Sequence, residues 1–237
     1  MEPIARITSI FRYPVKSMAG EALESATLGW HGLEGDRRFA FARKGVATGM
    51  PWLVASKLSS MITYTPLREN GAPLASRVRT PSGRDLELRG DELRAELSAA
   101  HGAPVELMQL DNGIFDDAPI SLIGAASIAA IGAAAGIPLD PRRFRNNFLI
   151  ETPDGVPFTE DRWVGRTIRI GDAPDGPAIS VALRDVRCVM INLDPDTAAS
   201  DPRILKAAVQ LNENCAGLYA SVIRTGTVRV GDALYLS

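Results

Sequence analysis

Cysteine, histidine and lysine are all scarce in this 237-residue chain, and each shortage closes off a class of function. The two cysteines, Cys188 and Cys215, cannot staple a fold of this size, which excludes a disulfide scaffold and points to a reducing, cytoplasmic setting. Two histidines, His31 and His101, leave little material for a His-based zinc site. Only four of the cationic residues are lysines: Lys16, Lys44, Lys57 and Lys206. Lys and Arg together number 26 against 28 Asp and Glu, so there is no basic excess of the kind that coats nucleic acid. No basic segment followed by an apolar run opens the sequence, so no signal peptide is expected. One uncharged stretch, residues 118–139, is long enough to cross a bilayer. It is mostly Ala and Gly between Pro119 and Pro138, and is read as a buried helix over about 121–135 rather than a membrane span.

What the chain does have is an ordinary globular composition, 46% hydrophobic and 23% charged, broken into many short β-like runs. Strands are expected at residues 4–10, 22–28, 38–42, 61–64, 77–80, 86–88 and 105–110. The composition changes after Asp111-Asn112-Gly113. Further strands are expected at 148–150, 167–170, 179–183, 187–193, 218–224, 227–230 and 233–236, the last two as a hairpin-like end. Short helices are expected at 91–97, 121–135 and 201–212. The pattern is mainly β with a few helices (α+β), built from barrel-type units, with a domain boundary near residue 110.

Four segments combine reactive or anion-binding residues with turns. Tyr13-Pro14-Val15-Lys16-Ser17 follows a strand, and would offer Lys16 and Ser17 to a ligand; the alternative is an ordinary solvated lysine. Gly35-Asp36-Arg37-Arg38 carries arginines able to clamp phosphate or carboxylate, or simply to pair with surface acids, and Arg142-Arg143-Phe144-Arg145-Asn146-Asn147 would build an anion pocket or form a solvated charged face. In Arg187-Cys188, the guanidinium would favour a thiolate, whereas a buried structural cysteine is the bland alternative. Cys215 is far from Cys188 in sequence and reads as structural.

These segments, with Asp117-Ala118-Pro119-Ile120-Ser121-Leu122, Gly217-Leu218-Tyr219-Ala220 and Gly226-Thr227-Val228-Arg229-Val230-Gly231-Asp232, fall in the order seen in MOSC-domain proteins. The chain resembles that family over nearly its whole length, including members of the amidoxime-reducing type. The resemblance implies a MOSC-associated N-terminal β-barrel domain over 1–110 and a MOSC domain over 111–237. It further implies a molybdenum–molybdopterin cofactor with Cys188 as the protein ligand to the metal. Molybdenum favours soft sulfur donors, and the anionic tail of the pterin needs cationic and hydroxyl partners.

By matching positions, Lys16, Ser17, Arg37, Ser121, Ser127, Arg145, Asn147 and Arg187 would hold the cofactor, while Asp194 and Asp196 would orient the site or relay protons. The implied reaction reduces N-hydroxylated substrates with electrons from an external ferredoxin, flavoprotein or cytochrome. No iron–sulfur cluster motif follows Asp232, and pyridoxal phosphate enters only as a family-level association. A second reading makes the chain a sulfur or cofactor carrier using a Cys188 persulfide; a third makes it an interaction domain with a degenerate site. The sequence departs from amidoxime-reducing relatives at Ile191 and Asn192, where two threonines are frequent, and at Asn146, where proline is frequent.

Overall fold

The computed structural model describes residues 2–46, 50–69 and 72–236. In chain order the strands are β1 (Ala5–Arg12), β2 (Glu21–Leu23), β3 (Ser25–Gly29), β4 (Gly32–Leu33), β5 (Phe39–Arg43), β6 (Thr65–Leu67), β7 (Arg77–Arg79) and β8 (Asp85–Glu87). They continue as β9 (Val105–Gln109), β10 (Ile120–Gly124), β11 (Phe148–Glu151), β12 (Thr167–Ile170), β13 (Ala178–Val186), β14 (Cys215–Arg224), β15 (Gly226–Arg229) and β16 (Ala233–Leu236). Three α-helices lie among them: α1 (Asp91–His101), α2 (Ala125–Ala135) and α3 (Arg203–Asn212).

Seven strands close into a barrel in the order β11-β10-β14-β13-β12-β16-β1, with β1 pairing back onto β11. An odd number of staves can close because one pair, β10–β11, is parallel and the other six are antiparallel. A parallel pair needs a crossover, and α2 supplies it. The β-branched and aliphatic runs put Ile7, Ile10, Ile120, Leu122, Phe148, Ile150, Ile168, Ile179, Val181, Leu218 and Leu234 inside. Each such side chain contributes about 1.5–3 kcal/mol by leaving water. Because β1 is a stave, barrel closure draws on chain from both sides of residue 110.

A second core lies beneath the β5–β9 pair, the β6-β7-β8 sheet and α1, filled by Phe39, Phe41, Met61, Val78, Leu93, Leu97 and Val105. Val15 and Met18 belong to it, so the segment leaving β1 passes from one core to the other. No helix among the described residues is long and apolar enough to cross a membrane.

Several sequence expectations give way to tertiary context. Residues 121–124 are strand rather than helix, because Ile120, Leu122 and Ile123 are buried in the sheet, and α2 starts only after the extended Gly124. The 61–64 run forms a single 3-10 turn, Ser59–Thr63, which buries Met61 and Ile62. The final two strands are not a hairpin: β15 pairs with β3, whereas β16 pairs with β12 and β1. The run 187–193 is not a strand either. β13 loses its partner where Val186 meets Cys215, since Glu213 and Asn214, just before the neighbouring strand β14, are left-handed (φ 54° and 68°). The chain then bends into the 3-10 turn Val189–Asn192.

Candidate active site

That bend sits on one rim of the barrel. The registers place the end of β1, the start of β11, the start of β10 and the first half of β14 beside the end of β13, through the pairs Ile10↔Phe148, Leu122↔Phe148, Ser121↔Tyr219 and Val186↔Cys215. A cavity of about 360 Å³ opens there. Lys16, Ser17, Arg37, Ser121, Arg145, Arg187 and Cys188 all line it, with Asp116, Asp117, Arg143, Asp185, Ile191 and Tyr219. Its wall carries five cationic side chains against three carboxylates.

Three of these residues hold left-handed backbone although none is glycine: Ser17 (φ 67°), Arg37 (φ 48°) and Arg145 (φ 53°). Such conformations cost energy and persist where the surroundings impose them, commonly at functional sites. The Lys16 N–H donates to Phe39 O at 2.8 Å and the Arg37 N–H to Tyr13 O at 2.7 Å, which fixes both turns. Arg37 pairs with Asp36 and donates to Arg145 O at 2.7 Å. Arg145 donates to Met18 O at 2.7 Å, yet its Nη2 is buried with no partner. Burial, reinforced by nearby Arg37, holds the Arg145 guanidinium down to about 10.

Lys16 is no solvated lysine. It is 5% exposed, and its Nζ meets Asp116 at 2.5 Å. Burial, only partly offset by Asp116, lowers its pKa.

Cys188 is exposed, its thiol free, and it lies where the rim is open; Cys215 is free and buried, as a structural residue would be. Asn214 fixes the approach to Cys188 from both sides: its carbonyl accepts the Arg187 N–H (2.8 Å) and its amide donates to Arg187 O (2.7 Å). The Arg187 guanidinium is taken up by Ala216 O and Phe144 O, both at 2.7 Å, and by Asp185 at 2.8 Å. Arg187 therefore braces the loop, while its Nη2 is ion-paired with Asp185 but makes no hydrogen bond.

Four expected residues lie away from the cavity lining. Ser127 is buried in the first turn of α2, donating to Glu160 at 2.7 Å and accepting the Phe158 N–H. Asn147 is fully buried behind the wall, where it bonds Phe11 O, Asp36 and the Ser121 N–H. Asp194 caps its own turn through the N–H groups of Asp196 and Thr197 and accepts from Arg143 at 2.7 Å. Asp196 is exposed and forms a two-pronged pair with Arg142. The acidic pair thus anchors the loop after Cys188 to the arginine turn before β11.

Sequence reasoning missed Asp185 and Tyr219. The signal for Asp185 was a lone carboxylate inside an apolar strand run. It is 2% exposed and accepts from Ser121 Oγ at 3.0 Å. Burial pushes it up to about 6, against the opposing pull of Arg187 and Ser121. A carboxyl raised in the folded state binds more protons there than when unfolded. Its contribution to stability is complete below the ordinary range near 3.8 and is lost as pH rises through about 6. Urea titrations are expected to show wild-type stability relative to Asp185→Asn falling by on the order of 3 kcal/mol between pH 4 and pH 7. A parallel pair of profiles would overturn this.

The family models meet this architecture directly. Residues 98–235 match the MOSC domain, and residues 4–70 match the MOSC N-terminal beta barrel domain. The chain belongs to the MOSC family. Mitochondrial amidoxime reducing component 2 of Rattus norvegicus is 28% identical over 133 residues, covering 51% of this chain and 37% of that protein. The crystal structure of the YUAD protein from Bacillus subtilis shares the fold, with a TM-score of 0.53 at 16% identity over 97% of this MOSC chain and 93% of the other.

Proposed function

We propose that this MOSC protein holds a molybdopterin-bound molybdenum in the rim cavity and reduces N-hydroxylated small molecules there. One observation carries the reading: the open Cys188 thiol shares a cavity with buried, under-partnered cations. The donor set fits the cofactor. Arg145 Nη2, with Lys16, Ser17 and Arg37, suits a phosphate tail, and excess positive charge favours an anion over water. A single thiolate suits a metal whose remaining donors come from the pterin dithiolene. Among the described residues no group of three His, Cys, Asp or Glu side chains is placed to hold an ion, so Cys188 would be the protein's ligand.

When bound, this cofactor supplies a two-electron couple able to accept oxygen. Turning N–OH into N–H and water takes two electrons and two protons. The electrons would come from a separate redox protein. Asp185, buried beside Ser121, is a group able to hold a proton at its carboxyl within the cavity. Arg187 and Asn214 keep the Cys188 loop in place, and Asn147 steadies Asp36 behind Arg37.

The test is purification from cells that make the cofactor, followed by molybdenum and pterin determination and reduction of a model amidoxime with an artificial donor. Stoichiometric metal and turnover are expected. Metal-free protein carrying a Cys188 persulfide would instead support a sulfur carrier, a reading that rests on the exposure of Cys188 and leaves the cationic wall unused.

A further inference from the structure

Behind the cationic wall stands an aromatic ring that the proposed chemistry does not use. Tyr13 is 1% exposed, with the Arg145 guanidinium carbon 4.3 Å and that of Arg37 5.0 Å from its ring centroid. Its hydroxyl is buried without a hydrogen-bond partner, so polarity does not explain a tyrosine here. The backbone of the residue is locked: its N–H donates to Asp36 at 2.6 Å, and its carbonyl accepts the Arg37 N–H. The ring is also seated from the side. A Cβ on Gly20 would come within 2.4 Å of Tyr13 Cε1 and 2.6 Å of Cδ1, so only glycine there lets the ring lie where it does.

Two guanidinium groups held this close repel one another, and Asp36 bonds only that of Arg37 directly. A π face attracts cations and, being buried, offers that attraction without competing water. We propose that Tyr13 is a positioning residue: its ring is the platform that holds Arg37 and Arg145 at fixed spacing for one phosphate-type anion, and Gly20 is the gap that seats the ring. This rests on the reading that the Lys16–Arg37–Arg145 wall takes the cofactor's phosphate. It adds that the wall is organised before the anion arrives.

The test uses the full chain from a host unable to make the cofactor, with inorganic pyrophosphate as the probe. Calorimetric titration is run against sodium chloride at matched ionic strength, and circular dichroism and thermal melts are recorded without ligand. Tyr13→Phe keeps the ring and discards only the idle hydroxyl, so its affinity is expected within about two-fold of wild type. Tyr13→Leu removes the π face, and is expected to weaken pyrophosphate binding about ten-fold. Gly20→Ala displaces the ring and is expected to act in the same direction with Tyr13 intact.

A folded Tyr13→Leu or Gly20→Ala protein that binds pyrophosphate as wild type does would overturn the platform. Equal losses in Tyr13→Phe and Tyr13→Leu would overturn it too, by making the hydroxyl the active group. If Tyr13→Leu does not fold, Gly20→Ala decides. Wild-type protein that ignores pyrophosphate would instead remove the anion wall itself, and with it the reading of the cavity.

Discussion

On the proposed function, exchanging Cys188 for serine is expected to empty the protein of molybdenum while leaving its fold unchanged. The residue lies at an exposed turn with ordinary extended backbone (φ −110°), outside the apolar cores. Substitution at such a place usually changes stability by no more than about 0.5 kcal/mol. The effect on the metal is of another order. A serine hydroxyl is a hard, neutral donor in place of a soft anionic one. Loss of a partner that only supports a metal ligand already costs about 10–100-fold in affinity, so loss of the ligand itself should exceed about 100-fold. Mass spectrometry of metal per chain, with a thermal melt as control, checks both halves. Cys215→Ser is the contrast, since that thiol is buried at the start of β14: some stability should go and the metal should stay. Full molybdenum in Cys188→Ser would dismiss the ligand assignment.

The same two cysteines illustrate what was legible in the sequence. Their number excluded a disulfide scaffold, and short runs rich in β-branched residues, such as residues 4–10, carried the mainly β fold. Lys16, Arg37, Arg145 and Cys188 were legible as candidates because turn residues flank each of them. The structure brings all four to one cavity, through strand registers that no local pattern encodes.

The errors share a cause. The run 187–193 has strand composition, but a strand also needs a neighbour, and left-handed Glu213 and Asn214 withdraw it. Residues 121–124 sit in a run of small and apolar residues, and only burial on both faces separates a strand there from a helix. Asp194 and Asp196 look reactive in one dimension because their partners, Arg143 and Arg142, lie about fifty residues away. Asn147 and Tyr13 act from behind the wall, where sequence shows a residue type but not the side chain it supports.

Gly217→Ala is expected to be the most damaging single-methyl change in the site, costing on the order of 3 kcal/mol of a total that is typically about 5–15. Two penalties combine. Gly217 has φ +85°, where any L side chain is disfavoured by roughly 1–2 kcal/mol. The added Cβ would also stand 2.4 Å from Leu122 O and 2.9 Å from Ile123 Cβ, against strand backbone that cannot swing away. Relief has to come from separating β14 from β10, the pair that sets Ser121 opposite Tyr219. The third neighbour is Arg187 Nη2 at 3.2 Å, so the same shift loosens the brace beside Cys188. Gly231→Ala isolates the first penalty, because φ there is +94° but nothing lies within 4 Å of the new methyl. Urea denaturation should therefore show a small loss for Gly231→Ala and a much larger one for Gly217→Ala. Molybdenum content should fall only in the latter. Equal losses in the two variants would mean that the backbone conformation alone, and not the close approach to β10, makes glycine necessary at this rim.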